Sequence, residues 1–255
     1  PPIPGALNSD TDNTVKTTAV FGDINYKLTD AMRVNLGLRY NRDEVRNKFV
    51  GRGPFDGQTF DLSSTQSEPT GRLGIDYTTS AGTMFYASVA KGFQAGYNTV
   101  GFDTAGNPKP ATVKPESLTA FEAGMKSSIG DGRGIFNLAG FYYDYKDYQI
   151  YNIVGLTQIV FNSDAKMWGG EIELATSPVE GLDIMLGASF LNSKVDLPAG
   201  IRPDGKLTSD AAMAPKMTFN GVVRYEWPAF GSGKLNVQGD FAWKDKQIFN
   251  LSNTA

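Results

Sequence analysis

The chain has 255 residues, 24 Lys and Arg against 27 Asp and Glu, a net charge of −3, and 40% hydrophobic residues. This composition supports a folded core and argues against a protein that binds nucleic acid through an overall basic surface. Because Cys and His are both absent, disulfides, thiol nucleophiles, imidazole metal sites and Ser-His-Asp triads are excluded, and we predict no metal site and no cofactor.

Apolar and polar residues alternate along much of the chain with a period of two, which is typical of β-strands. The pattern is clearest in residues 32–40, where Met, Val, Leu and Tyr interleave with Arg, Asn and Gly. We predict ten strands, at about 15–27, 31–47, 67–78, 83–92, 116–128, 133–152, 157–176, 182–195, 214–227 and 234–249. The faces of 133–152 do not follow from its sequence.

The connections between these strands differ in length at alternate positions. Every second link is a tight turn rich in Gly, Pro or Asp, at residues 28–30, 80–82, 129–132, 177–181 and 228–233. The links between are mostly long and polar, at 48–66, 93–115 and 196–213. Short turns at one end and long loops at the other are typical of an outer-membrane barrel.

Aromatic residues lie near both ends of the predicted strands, as two membrane-interface girdles require. Tyr26, Tyr77, Phe85, Tyr225 and Trp227 lie beside the short turns, and Tyr40, Trp168, Phe190 and Trp243 lie toward the loops. A soluble β-sandwich also alternates apolar with polar residues, but its strands are shorter than these. We therefore predict an all-β fold, a transmembrane antiparallel up-and-down β-barrel.

Charged residues on the polar face of the strands are the first candidate functional group. They are expected to face the lumen or a plug domain inside it: Arg39, Arg72, Glu122, Lys126, Glu171 and Glu173. A simple solvated wall is the alternative.

Aromatic residues near the loops form a second group, in which a planar or apolar ligand could stack. The ligand-vestibule candidates are Phe93, Tyr97, Phe102, Tyr148 and Tyr151. Girdle and strand packing is the alternative interpretation of the same residues.

Two further motifs have simpler interpretations. The Gly-rich residues 130–134 lack the context of a phosphate-binding loop and predict a hairpin turn. Asp10, Asp12 and Asn13 could offer oxygen ligands to calcium, but they lack the Gly and distal Glu of a calcium loop and are interpreted as an ordinary polar loop.

Four segments, taken in order, resemble the barrel of TonB-dependent outer-membrane transporters. They are 86–98 (YASVAKGFQAGYN), 113–126 (VKPESLTAFEAGMK), 141–149 (FYYDYKDYQ) and 169–174 (GGEIEL). The resemblance covers about residues 15–250 and implies a barrel of about 22 strands around an N-terminal plug.

The same resemblance implies the function and partners, and it implies a transporter with no catalytic residue. Members of the family import a scarce ligand, most commonly a ferric siderophore and otherwise cobalamin or a glycan, across the outer membrane of a Gram-negative bacterium. The expected partners are outer-membrane lipid, the protein's own plug, a TonB-type energy-coupling protein reached through that plug, and a small-molecule ligand, with no nucleic acid. Residues 1–255 are expected to be about ten strands of the barrel, without the plug and without a C-terminal aromatic ending at 252–255.

Two other functions remain open. A passive porin would need no plug. A complete ten-stranded outer-membrane hydrolase would need His as a general base, which this chain lacks.

Overall fold

A computed structural model describes residues 8–102, 107–154 and 157–251, which are almost entirely β-structure. The strands are β1 (Asn8–Lys27), β2 (Met32–Arg52), β3 (Thr59–Thr78), β4 (Met84–Gln94), β5 (Tyr97–Phe102), β6 (Pro108–Val113), β7 (Glu116–Ile129), β8 (Gly134–Val154), β9 (Thr157–Val179), β10 (Leu182–Asp196), β11 (Thr208–Ser209), β12 (Met217–Ala229) and β13 (Gly233–Lys244). One turn of 3₁₀-helix, Gly53–Phe55, follows β2. Within the described ranges, no helix has the length and hydropathy needed to cross a membrane.

Ten of these strands form one antiparallel sheet in the order β1-β2-β3-β4-β7-β8-β9-β10-β12-β13. Each strand therefore pairs with the next long strand along the chain, which confirms the ten strands and the up-and-down topology predicted from the sequence. The short β11 pairs with the end of β10, and β5 and β6 form a separate hairpin.

The strand registers confirm the two faces. Leu36 lies opposite Ile24 on β1 and Leu73 on β3, and the apolar row continues across the sheet through Val89 and Phe121. This face, called the outer face below, leaves large apolar side chains uncovered, with Leu38 62% exposed. Since large apolar surface is stable against lipid and costly in water, the outer face is the lipid-facing side of the barrel wall.

The inner face carries the intervening polar residues. Asn35 lies opposite Gly74, and Glu122 lies opposite Ser88. An irregularity in β8 explains why the faces of 133–152 could not be assigned. The register shifts between Tyr145 and Tyr148, and Asp147 has a φ of 52°. A bulge of this kind breaks the period of two, so residues beyond it exchange faces.

The turns at one end agree with prediction. Gly130 and Gly132 have φ of 59° and 84°, a backbone conformation that Gly adopts without strain. The turn predicted at 177–181 is shorter than expected because β9 continues to Val179 and leaves only Glu180 and Gly181 between the strands.

The loop end departs more from prediction. The segment 48–66, predicted as a loop, is mostly strand, since β2 continues to Arg52 and β3 begins at Thr59. Cross-strand charge pairs support this extension, with Arg46 Nη2 lying 2.5 Å from Asp61 Oδ2.

Asp10, Asp12 and Asn13 belong to β1 and not to a loop. Because side chains alternate along a strand, Asn13 lies on the opposite face from the two carboxylates, so the three do not converge on one ion. Asp10 pairs instead with Arg52 at 2.6 Å, and Asn13 accepts a hydrogen bond from Asn47 at 2.7 Å.

Two other predicted boundaries are wrong. The link 93–115 contains the β5–β6 hairpin, and the last strand ends at Lys244 instead of 249. β5 lies against β2 and β3, where Asn41, Asp43 and Phe49 of the inner face are buried. The hairpin therefore covers part of the inner face at the loop end.

A second cover lies further along the sheet. The segment after β10 and the residues after β13 pack onto the inner face of β8 to β10 in one hydrophobic cluster: Ile150, Ala165, Val195, Leu197, Ala211 and Leu251. The inner face is thus open in its middle and covered at its loop end.

Candidate functional site

The open middle of the inner face holds most of the charged residues predicted to face the lumen. A cleft of about 520 Å³ is lined by Arg72, Glu122 and Lys126 together with Tyr86. An adjoining cleft of about 210 Å³ shares Tyr86, Glu122 and Lys126 and adds Glu171 and Glu173. Five of the six predicted wall residues therefore surround Tyr86, which the sequence did not single out.

Strand register brings these residues together. Tyr86 on β4 lies opposite Gly124 on β7, Gly124 lies opposite Ala139 on β8, and Ala139 lies opposite Glu171 on β9. Because Gly124 has no side chain, the Tyr86 ring lies over it, with its hydroxyl 2.8 Å from the position that a Cβ would take. The Lys126 ammonium lies 5.9 Å from the centroid of the Tyr86 ring.

The charges in the clefts are only partly satisfied by the chain itself. Arg72 donates to Ser88 at 3.3 Å, and Glu173 accepts from Asn137 at 3.1 Å. Among the residues that the structure describes, Glu122, Lys126 and Glu171 form no ion pair.

Asp76 on the same face is a useful contrast. It is 8% exposed, is 3.1 Å from the Arg33 guanidinium, and accepts a hydrogen bond from Asn35 at 2.9 Å. The wall therefore has one region that is internally paired and one that offers charges to another molecule or domain.

Arg39, the sixth predicted residue, does not join the clefts. Its Nε donates to Asn41 Oδ1 at 2.5 Å, and its guanidinium lies 5.7 Å from the Phe21 ring centroid. It is on the inner face as predicted, but nearer to the loop end.

The five vestibule candidates are spread over several elements. Phe93 is half-buried near the end of β4, and Tyr97 opens β5, where burial raises the pKa of its phenol. Phe102 ends β5, and its side chain lies outside the described residues.

Tyr148 and Tyr151 on β8 lie on opposite faces. The Tyr148 ring is 5.2 Å from that of Tyr145 and packs against the hydrophobic cluster of the inner face. Tyr151 is 56% exposed. These two residues do not line one surface.

Sequence reasoning missed three amides that fix the β5–β6 hairpin to the wall. Gln66 of β3 donates to the Gly96 carbonyl at 3.1 Å and accepts from the Gly96 N–H at 2.7 Å, as a backbone partner would. Gln149 donates to the carbonyls of Ala95 and Lys114, and Asn162 donates to that of Lys114. No local motif marks these residues, because their partners are backbone groups distant in sequence.

The family of the chain follows from its sequence as a whole. The profile described as TonB-dependent receptor-like, β-barrel, matches residues 1–255. The chain belongs to this family of outer-membrane receptors. Membership agrees with the strand topology, the lipid-facing outer face and the four motifs, and it places the chain in the outer membrane of a Gram-negative bacterium.

Curated relatives include two pesticin receptors. That of Yersinia enterocolitica is 28% identical over 172 residues, which cover 66% of this chain and 24% of the receptor. That of Yersinia pestis is 29% identical over 150 residues, which cover 57% of this chain and 21% of the receptor. The chain thus matches about a quarter of the length of these relatives.

Solved structures show the same fold. The ferric yersiniabactin uptake receptor of Yersinia pestis superposes with a TM-score of 0.81 at 19% identity, over 97% of this chain and 37% of that receptor. A siderophore receptor of Acinetobacter baumannii gives a TM-score of 0.66 at 20% identity, over 85% of this chain and 32% of that receptor. The ten-stranded sheet therefore corresponds to part of a larger barrel in these proteins.

Proposed function

We propose that residues 1–255 are part of the barrel wall of a TonB-dependent active transporter that imports a scarce ligand, a ferric siderophore foremost. The family is one of receptors and transporters and not of enzymes, and two of the similar structures are named as a ferric yersiniabactin uptake receptor and a siderophore receptor. Cobalamin or a glycan would use the same wall.

The observation that carries the proposal is the set of unpaired charges on the inner face. Glu122, Glu171 and Lys126 line adjoining clefts without forming an ion pair among the described residues. A domain that fills the lumen would enclose these charges, and because an enclosed charge without a partner is costly, that domain should offer complementary groups. We assign that role to a plug domain with basic side chains toward Glu122 and Glu171, supplied with the remaining strands by the rest of the polypeptide.

The loop end supports uptake of a selected molecule over passive diffusion. The β5–β6 hairpin and the cluster around Ile150 and Val195 both cover the inner face there. Less of the inner face is therefore open at the end where a ligand enters. We include Tyr97 among the groups that contact the ligand, because β5 covers the inner face at that end, whereas Phe93 shares the outer face of β4 with Val89. A hydrolase is disfavoured, since the chain has no His to act as its general base.

The test is uptake of radioactive iron, supplied as ferric siderophores, into cells that express the full polypeptide as their outer-membrane receptor. Accumulation should require the energy-coupling protein and an energised inner membrane. Accumulation that persists without both would identify a passive porin and overturn the proposal.

Charge-neutral variants test the role of the wall. Glu122→Gln with Glu171→Gln should lower coupled uptake about tenfold, as expected for the loss of charge-assisted hydrogen bonds to the plug. Glu180→Gln, in an exposed turn at the opposite end from the loops, is the matched control and should retain uptake. Normal uptake by the double variant would remove these carboxylates from the mechanism.

A further inference from the structure

The β5–β6 hairpin is the tip of a longer hairpin that starts with β4 and β7. The β4–β7 ladder ends where Gln94 lies opposite Glu116, and the β5–β6 ladder begins three residues further on each strand. The residues between the two ladders, 95–96 and 114–115, are called the neck below. Because the neck has two residues on each side, the register continues unbroken from one ladder to the next. β5 and β6 are therefore continuations of β4 and β7 that bend at the neck and cover the inner face.

The bend leaves parts of two wall strands without a backbone partner on one side. β3 pairs with β4 only from Gly71 onward, although β3 begins at Thr59. β8 pairs with β7 only as far as Lys146, although β8 continues to Val154. A straight hairpin would lie between these parts of β3 and β8 and would extend both ladders. The bent hairpin forgoes those hydrogen bonds, so the peptide groups of its neck need other partners.

Side-chain amides supply these partners from both sides. Gln66 of β3 donates to the Gly96 carbonyl at 3.1 Å and accepts from the Gly96 N–H at 2.7 Å. Asn162 of β9 treats Lys114 in the same way, accepting from its N–H at 2.7 Å and donating to its carbonyl at 3.0 Å. Gln149 of β8 donates to one carbonyl on each side of the neck, at 3.0 and 3.1 Å. The neck is therefore hydrogen-bonded to three different wall strands.

Close packing sets the bend at the same place. A Cβ at Gly96 would overlap the carbonyl oxygen of Val113 across the neck, so the two strands approach more closely there than a side chain allows. Pro115 has no N–H and cannot donate a ladder hydrogen bond. Val113 is only 1% exposed, and β6 lies against β9. Movement of the hairpin away from the wall would therefore uncover apolar surface as well as break the amide contacts.

We propose that the β5–β6 hairpin is a fixed strap across the ligand entrance and not a lid that opens and closes. The inference rests on the proposed function, because it concerns the end of the wall where the transported ligand enters. Segments that move in binding are held by few buried contacts. The strap has the opposite character, since hydrogen bonds from β3, β8 and β9 would all have to break together. The ligand therefore enters beside the strap, through an opening whose size does not change.

Spin-label distances in the full polypeptide, folded in detergent, test the strap without any assumption about transport. Residues 1–255 contain no cysteine, so labels can be placed at Thr65→Cys on β3 and Lys109→Cys on β6, with any cysteine elsewhere in the polypeptide replaced. Both positions are exposed. One narrow distance is expected, and it should stay the same when a panel of ferric siderophores is added. A second resolved distance under either condition would identify a lid and overturn the proposal.

Removal of the amides tests what holds the strap. Gln149→Ala with Asn162→Ala deletes four hydrogen bonds to the neck and should broaden the distance distribution. Amide hydrogens of β5 and β6 should then exchange at least about tenfold faster. Asn236→Ala with Gln238→Ala removes two exposed amides of β13 and should leave both measurements unchanged. A narrow distance and slow exchange in the first double variant would contradict the assignment of these amides.

Uptake by cells that express the full receptor separates the strap from the proposed function. The Asn98 side chain lies 3.0 Å from the Ser63 carbonyl, so Ser63→Cys with Asn98→Cys allows a short bis-maleimide to join the strap to β3. The joined receptor should accumulate radioactive iron from ferric siderophores within about twofold of either single-cysteine variant treated with the same reagent. Loss of accumulation only in the joined receptor would show that the strap must move. If the single variants accumulate no iron, the proposed function fails, and the spin-label distances still decide whether the strap is fixed.

Discussion

The two faces of the sheet are built from alternate residues of the same strands, but the outer face is apolar and the inner face is polar. On the outer face, large apolar side chains such as Leu38 and Trp168 are uncovered because lipid is their partner. On the inner face, the polar side chains are either paired within the wall, as Asp76 is, or line open clefts, as Glu122 does. Two neighbouring residues on a strand therefore have different surroundings, one facing lipid and the other the lumen. Substitutions at such neighbouring positions can test this contrast.

The largest effect is expected from a charge placed on the outer face. Leu36→Arg should cost about 2 to 4 kcal/mol, since a cationic side chain near the middle of the lipid-facing band loses its hydration. The neighbouring change Asn35→Arg places the same group on the inner face beside Asp76 and should be much milder. The measurement is the folded fraction in lipid vesicles, judged by the electrophoretic mobility of unheated samples. Equal effects of the two substitutions would refute the assignment of faces.

A smaller effect is expected from added volume on the inner face. A Cβ at Gly124 would overlap the Leu138 carbonyl oxygen and lie 2.8 Å from the Tyr86 hydroxyl, so Gly124→Ala should destabilise the barrel by about 1 to 3 kcal/mol. Gly37 lies on the same face with nothing within 4 Å of the position that an added methyl group would take, and Gly37→Ala should be neutral or slightly stabilising. Urea unfolding in detergent measures both. A neutral Gly124→Ala would mean that β4, β7 and β8 are less closely packed around Tyr86 than the structure indicates.

The smallest effect concerns the cover of the inner face. Gln66→Ala removes two hydrogen bonds to Gly96, so amide hydrogens of β5 and β6 should exchange about fivefold faster, which corresponds to about 1 kcal/mol. Ser67→Ala changes the adjacent outer-face residue of the same strand and should leave the exchange unchanged. If both variants exchange alike, the hairpin is held by other contacts.

Much of the wall could be predicted because its information is local. Alternation in residues 32–40 defines the two faces of β2, and Gly130 and Gly132 mark a turn that needs positive φ. Five predicted wall residues also line the same clefts. This follows because residues that lie opposite each other in paired strands point to the same face, so the alternation found in each strand holds across the sheet.

The errors arise where partners are distant in sequence. Residues 48–66 are polar and resemble a loop, but cross-strand pairs such as Arg46 with Asp61 keep them extended. The bulge at Asp147 shifts the alternation of β8, so Tyr145 and Tyr148 lie on the same face although they are three residues apart. The side-chain amides of Gln66, Gln149 and Asn162 donate hydrogen bonds to backbone carbonyls distant in sequence, which no local sequence pattern predicts.

By itself the sequence determined the strand count, the up-and-down order, the family and the side of the wall on which the six predicted wall charges lie. These depend on a period of two and on turn residues, which are properties of neighbouring positions. Only the tertiary structure decided that Tyr86 lies among the charges, that the hairpin and the loop after β10 cover the inner face, and that β5 and β6 continue the register of β4 and β7. These depend on register between strands, which is set by the sum of many cross-strand contacts and not by any single segment.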